Sequence, residues 1–340
     1  MLKGDIIVKK RINEVLEEGT LDEGPRPVWE DGTPAYSRLV TQKTVTYDCT
    51  KGEAPYSTLR PNANQSGINE ILWIYRDADN NIYTLETKYG INWWRKWCVN
   101  PYHYDEFGDL IEGKNPNKGF YYDAKGNAIP FGEKSDTLII KDIDINEFII
   151  DSKTGMVLTK DANLGYCYGG TIREHNLFEK CRKDIKENPF GRRHIIDMNQ
   201  DEDFSKIHGL RPCAFLTMWT VERKNGKLYL NMTLIQRSND FMAAGVINQT
   251  QYFAFMHMMA RDCDMLPGKF TWFVQNLHIY DRHMDAAKEL LTREPVECNP
   301  KVDIQVDRFE DMDPSNVKVV GYPMDEVKKK NKQLKLEIAA

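Results

Sequence analysis

Cys213 stands in the stretch LRPCAFLTMW (210–219), after a proline and before an apolar run with strand character. A thiol in such a run can be a small hydrophobe. It can equally be a nucleophile, if nearby cations favour its thiolate form. Arg192 and Arg193 in NPFGRRHII, and Arg237 in IQRSND, are candidates for that task. Each falls at a strand edge or loop, where arginines can converge on a phosphate with paired N–H donors. The Arg192–Arg193 pair also fits a plain surface feature. Glu70 lies within the apolar stretch SGINEILWIY. Facing the apolar side, its carboxyl would have a raised pKa and could exchange protons near neutrality; facing water, it would do neither. His278 and Tyr280 in NLHIYD share one face of a strand, where two polar tips suit a substrate hydroxyl or an internal hydrogen bond.

The elements that must position these residues follow from hydrophobic period and turn chemistry. Helical spacing predicts helices over 5–18, 66–76, 171–187, 248–263 and 283–294, with Ser66 as an N-cap and Asn188-Pro189 as a stop. Alternation and β-branching predict strands over 38–48, 194–198, 214–223, 228–238 and 270–281, with a hairpin turn at Asn225-Gly226-Lys227. Residues 19–37 read as an ordered loop and EVKKKNKQL (326–334) as a solvated face. The polar segment 98–160 carries alternating pieces and the turn SKTG, and reads as a small inserted subdomain with β-hairpins. The order has no βαβα regularity and predicts a single α+β domain over 1–340, built on a large mixed sheet with packed helices.

Bulk properties narrow the function. Net charge is −5, which gives no general attraction to nucleic acid or membranes, so neither is expected as a primary partner. The seven cysteines are scattered, with no CxxC pair, so no metal site is expected and a reducing, cytoplasmic setting fits. Neither a signal-like apolar segment at the N-terminus nor a run of about 18 apolar residues occurs.

Several of these stretches, in this order, resemble thymidylate synthases. RPCAFLTMW followed by QRSND, Asn248 and HIY resembles that family's nucleophile and nucleotide segments; NPFGRRHII resembles its double-arginine segment. LGYCYG (164–169), NEILWIY (69–75), WWRKW (93–97) and the terminal LEIAA resemble its Gly-x-x-Tyr-Gly loop, glutamate helix, tryptophan pair and apolar tail. The resemblance runs from about residue 20 to 340 and implies a thymidylate synthase-like fold, with a homodimer formed through the sheet face.

The resemblance also implies roles. Cys213 would add to C6 of dUMP, and 5,10-methylenetetrahydrofolate would supply both the carbon and the hydride, giving dTMP and dihydrofolate without a metal. Arg237 and Ser238 would hold the phosphate, with Arg192 and Arg193 reaching the site of the neighbouring subunit. Arg26 in GPRPVW would be a further phosphate arginine, although its loop departs from the family pattern. Asn248 would read the pyrimidine edge, and His278 and Tyr280 would bond the sugar 3′-hydroxyl. Glu70 would manage protons at O4, and Tyr168 would assist removal of the C5 proton. Asp240 would bond the pterin ring, Trp94 and Trp97 would pack on the folate, and the tail ending at Ala340 would close over the site.

Two departures stand out. Ala214 follows the cysteine where many relatives have histidine, and MAAGVIN (242–248) replaces the usual Gly-Leu-Pro-Phe lead into the asparagine. The nearest alternative is a pyrimidine nucleotide 5-hydroxymethylase on the same fold. Its cytosine-specific members tend to carry aspartate where this chain has Asn248. A catalytically silent nucleotide- or RNA-binding homologue is a third reading, against which Cys213 and Glu70 both stand.

Overall fold

The computed structural model describes residues 1–98, 162–206 and 211–339, together with 102–104, 110–112, 120–122, 128–130, 148–150 and 157–160. The chain divides into two compact units. One comprises residues 1–77, 175–199 and the chain from Pro212 onward; the other comprises 78–174 and 200–211.

In the first unit, strands β1 (Thr20–Leu21), β2 (Ser37–Asp48), β3 (Ile195–Asp197), β4 (Ala214–Lys224), β5 (Lys227–Asp240) and β6 (Leu266–Tyr280) form one sheet, ordered β1-β2-β6-β5-β4-β3. Only β5 and β6 run parallel; the other neighbours are antiparallel. The sheet is therefore mixed, as expected. The β4–β5 hairpin closes over Asn225 and Gly226, both at positive φ (49° and 76°), as a tight two-residue turn requires.

A parallel pair needs a long crossover, and helix α4 (Phe241–Asp262) supplies it. This helix is apolar on nearly all sides and buried along most of its length, as a helix without a water-facing side must be. It begins seven residues before the expected Asn248, because Asp240 caps it: the carboxylate Oδ1 accepts from the N–H groups of Met242 and Ala243, both at 3.1 Å. Asn248 therefore lies in the helix and not at its entrance.

Thr217, Leu234, Trp272 and Val45 pair across β4, β5, β6 and β2 and are all buried. The opposite face carries the row Leu216, Ile235, Phe273, Thr44 and the row Met218, Thr233, Thr271, Thr46. These residues are half-buried or exposed, with Met218 at 38%.

Helices α1 (Lys3–Glu18), α2 (Asn64–Ile71), α3 (Leu177–Glu187) and α5 (Met284–Thr292) complete the main elements of this unit. Helix α2 starts two residues before Ser66, with Ala63 at the cap and no side-chain bond there, so the expected serine cap does not form. After Ile71 the helix widens into a π turn over Leu72–Arg76. The expected helix 171–187 is two helices, Gly169–His175 and α3, because Asn176 takes a left-handed conformation (φ 50°) that ends the first.

The second unit holds the helix Ile82–Tyr89, opened by Asn81 Oδ1 on Thr84 N–H at 2.7 Å and closed by left-handed Gly90. Hairpin pairings join 102–104 with 110–112, 120–122 with 128–130, and 148–150 with 157–159. The turn SKTG lies outside the described residues.

The C-terminal end of α4 is anchored by Asp262. Its fully buried carboxylate meets Arg182 Nε at 2.7 Å and Lys186 Nζ at 2.6 Å, and accepts from Phe309 N–H at 3.0 Å. Burial alone would raise its pKa; Lys186, Arg182 and the Phe309 amide outweigh burial and hold it below the usual carboxylate range. Replacing Asp262 with Asn takes the carboxylate from Lys186 and from Arg182, which keeps Glu179 and Glu310, and should cost about 2 kcal/mol in denaturant unfolding at pH 7. Because the folded-state pKa is depressed, this stabilisation is present above the unfolded value of about 4 and is lost as pH falls through the folded one. The difference between wild type and Asp262→Asn should shrink accordingly.

Candidate functional site

Cys213 lies in the turn that feeds β4 and is half-buried. Its carbonyl accepts from Arg237 N–H at 3.0 Å, and Arg237 Nε–H donates to the Pro212 carbonyl at 3.1 Å. Arg237 thus clamps the cysteine turn through both backbone and guanidinium. Burial pushes the thiol pKa up, and the charges of Arg237 and then Arg26 pull it back in part. Burial is the largest of these influences, and the cations act in the expected direction, toward the thiolate. The cations are not the expected trio. Arg26, in the loop before Trp29, acts on Cys213 beside Arg237, whereas Arg192 and Arg193 are exposed just before β3 and are not brought to the thiol.

Ala214 is buried and pairs with Gln236, and its carbonyl accepts from the Tyr252 hydroxyl at 3.2 Å. Ser238 follows Arg237 on β5 and is half-buried. His278 and Tyr280 share a face of β6, their rings 5.0 Å apart, and both are buried. His278 Nδ1 is 2.9 Å from Asn276 Oδ1, and burial lowers the imidazole pKa against the pull of Asp240, which favours the neutral ring. Burial, then Asp240 and Cys213, push the Tyr280 phenol up to about 12. Asp240 caps α4 and lies 3.9 Å from His283 Nδ1.

Glu70 faces inward and is 5% exposed, so it is not a water-facing side chain. It accepts from Gln251 Nε2–H. Gln251 Oε1 in turn accepts from Asn248 Nδ2–H at 3.0 Å, and Asn248 Oδ1 accepts from Gln236 at 2.9 Å and Asn239 at 3.0 Å. Gln236 Oε1 accepts from the Trp272 indole at 2.8 Å. The expected pair Glu70 and Asn248 is thus joined through a residue that sequence reading missed. The signal was present: the polar run Asn-Gln-Thr-Gln (248–251) interrupts an otherwise apolar helix.

In the second unit, Trp94 lies 5.4 Å from Trp97 and 5.2 Å from Tyr168, ring centre to ring centre. Tyr168 is buried and sits at φ 48°, an uncommon conformation for a non-glycine residue. Gly169 beside it passes so close to Asp79 that a Cβ would fall 1.8 Å from the Asp79 carbonyl oxygen.

Within the first unit, the C-terminal segment packs beside Trp29. Ala339 packs on Trp29, Ala35 and Tyr280, and Glu337 accepts from Arg282 at 2.8 Å and Glu30 N–H at 3.2 Å. Arg282 also stacks over Trp29, 4.8 Å from the ring centre. Ala340 lies outside the described residues.

Residues 8–335 match the family model described as thymidylate synthase. This chain belongs to the thymidylate synthase family. The thymidylate synthase of Streptococcus agalactiae is 35% identical over 325 residues, 95% of each chain. That of Streptococcus thermophilus is 34% identical over 342 residues, covering all of both. The solved thermostable thymidylate synthase A of Bacillus subtilis superposes over 99% of each chain with a TM-score of 0.71 at 22% identity, a likeness of fold. As a thymidylate synthase homologue the protein is a methyltransferase. Among the described residues no helix is long and apolar enough to cross a membrane, and no three His, Cys, Asp or Glu are placed to hold a metal ion.

The electrostatics at Cys213 can be measured in the free protein. Arg237→Met should move the pH midpoint of Cys213 alkylation by iodoacetamide upward, since a positive charge that lowers the thiol pKa is removed. Arg26→Met should move it in the same direction by less. Rates followed by mass spectrometry from pH 6 to 10 test both.

Proposed function

We propose that the protein methylates dUMP to dTMP with 5,10-methylenetetrahydrofolate, releasing dihydrofolate, in a cytoplasmic setting. The observation that carries this reading is Cys213 in a turn clamped by Arg237, whose N–H and Nε–H reach the Cys213 and Pro212 carbonyls at 3.0 and 3.1 Å, with the charge of Arg26 also acting on the thiol. A dianionic phosphate would engage these arginines, and Cys213 would add to C6 of the pyrimidine. C5, now enolate-like, would attack the methylene carbon. Loss of the C5 proton, assisted by Tyr168, and hydride transfer from the folate would complete the methyl group, with release of the thiol. Ser238 would share the phosphate with Arg237. His278 and Tyr280, held together on β6, would take the sugar 3′-hydroxyl. Glu70 would exchange protons at O4, Asp240 would meet the pterin, Trp94 and Trp97 would pack on the folate, and the tail through Ala340 would exclude water.

Asn248 supports uracil over cytosine. Its Oδ1 already takes two donors and its Nδ2 makes one internal bond, so the amide has an N–H to offer. An N–H matches the C4 carbonyl of uracil and opposes the C4 amino group of cytosine. This favours dUMP but does not separate methylation from 5-hydroxymethylation; Trp94, beside the folate in this reading, favours the former. Incubation with dUMP and methylenetetrahydrofolate should give dTMP and dihydrofolate, and 5-hydroxymethyl-dUMP with tetrahydrofolate would overturn the reading. Cys213→Ser should lower kcat at least about a thousandfold, as loss of a covalent nucleophile does, while substitution of any other cysteine leaves turnover within about threefold.

The half-open sheet face, with Leu216, Ile235, Phe273 and Met218, supports a homodimer through that face. Arg192 and Arg193, exposed and without a hydrogen bond or ion pair among the described residues, would then reach the partner's phosphate. The segment 98–160 is read as a subdomain inserted in one catalytic domain. Mixing inactive Arg193→Ala with inactive Cys213→Ala should restore up to about a quarter of wild-type activity by forming hybrid dimers with one intact site; no recovery would count against shared sites.

A further inference from the structure

We propose that Gln251 is a positioning residue that holds the Glu70 carboxylate in register with the base-reading amide of Asn248. The inference rests on the proposed function, which places the pyrimidine against Asn248 and a proton-exchanging role on Glu70.

The hydrogen bonds give the line a fixed sense. An indole N–H can only donate, so Gln236 must turn its oxygen to Trp272 and its NH2 group to Asn248. Asn248 then accepts on Oδ1 and donates from Nδ2 to Gln251 Oε1. Gln251 is left with its NH2 group toward Glu70, whose carboxyl oxygen accepts. Each amide orientation thus agrees with the group that terminates the line at either end. Gln251 is 2% exposed, so neither of its bonds competes with bulk water.

The seat of Gln251 is built by helix α2. Gly67 lies one turn before Glu70, and a Cβ at that position would fall 2.7 Å from Gln251 Cγ. The absence of a side chain at 67 lets the Gln251 stem lie against α2 and bring its amide to Glu70. Removing Gln251 leaves Asn248 fixed through Gln236 and Asn239, and takes from Glu70 the amide N–H that links it to Asn248. Gln251 should therefore matter to kcat more than to the binding of dUMP.

Gln251→Met keeps the length of the side chain and removes both bonds. It should lower kcat about tenfold, the usual scale for one hydrogen bond to a charged group, while the Kd of dUMP measured by calorimetry changes by less than about threefold. In a Glu70→Gln background the same substitution should cost less than about twofold, because the proton-exchanging carboxyl that Gln251 positions is already gone. Low rates can be read by tritium release from dUMP labelled at C5. Gly67→Ala, which removes no polar group, should lower kcat in the same direction and show the same loss of effect in the Glu70→Gln background. Equal costs in both backgrounds would mean a general structural defect and would overturn the inference. So would an unchanged kcat in Gln251→Met. Wild-type protein that makes no dTMP overturns the functional reading and this inference with it; wild type that makes dTMP, with equal costs in both backgrounds, overturns this inference alone.

Discussion

A helix buried on nearly every side cannot carry polar side chains without partners, and helix α4 carries four in succession, Asn248 to Gln251. That constraint organises the centre of the first unit. Gln249 turns to the Tyr47 hydroxyl at 2.8 Å and to the Gly245 carbonyl, also at 2.8 Å. Thr250 bonds back to the Ile247 carbonyl at 3.0 Å. Asn248 and Gln251, on the remaining side, connect β5 to Glu70 on α2. The helix can occupy this position because Asp240 satisfies its first free N–H groups and Asp262 ties down its last turn.

The thiol lives under opposing influences of a different kind. Burial disfavours its charged form, and Arg237 and Arg26 favour it. In the free protein burial prevails. Occupation of the arginines by a phosphate would weaken their pull, so the reactivity of the site does not follow from the resting pKa of Cys213 alone. What the fold guarantees is placement. The Cys213 carbonyl is bonded to the Arg237 amide, and the next residue is held at its carbonyl by Tyr252. With an alanine at 214, these backbone contacts fix the strand entrance without any polar side chain at that position.

The docked C-terminal segment meets the same aromatic group that borders His278. Tyr280 touches Trp29, and Ala339 packs on both. Arg282 joins Trp29, Asp31 and Glu337 through stacking and two ion pairs, its contacts with the carboxylates at 2.6 and 2.8 Å. These pairs are partly exposed, so their value lies in orienting the segment more than in holding it by energy.

Local chemistry made much of this legible in advance. The strands 38–48, 214–223 and 228–238 were readable from alternation, the Asn225-Gly226 turn from the need for positive φ, and the residues around Cys213 from their order along the chain. Helix boundaries were less legible, since the start of α4 depends on a cap at Asp240 and the break at Asn176 on a single left-handed residue. The sequence by itself determined the mixed sheet and the family, because period, turn residues and motif order are local properties. Only the tertiary structure decided that Glu70 faces inward, that Arg26 and not Arg192 or Arg193 acts on Cys213 within the chain, and that Gln251 links Asn248 to Glu70. Those facts depend on which distant segments pack together, and hydrogen-bond partners 181 residues apart leave no periodic trace in either segment.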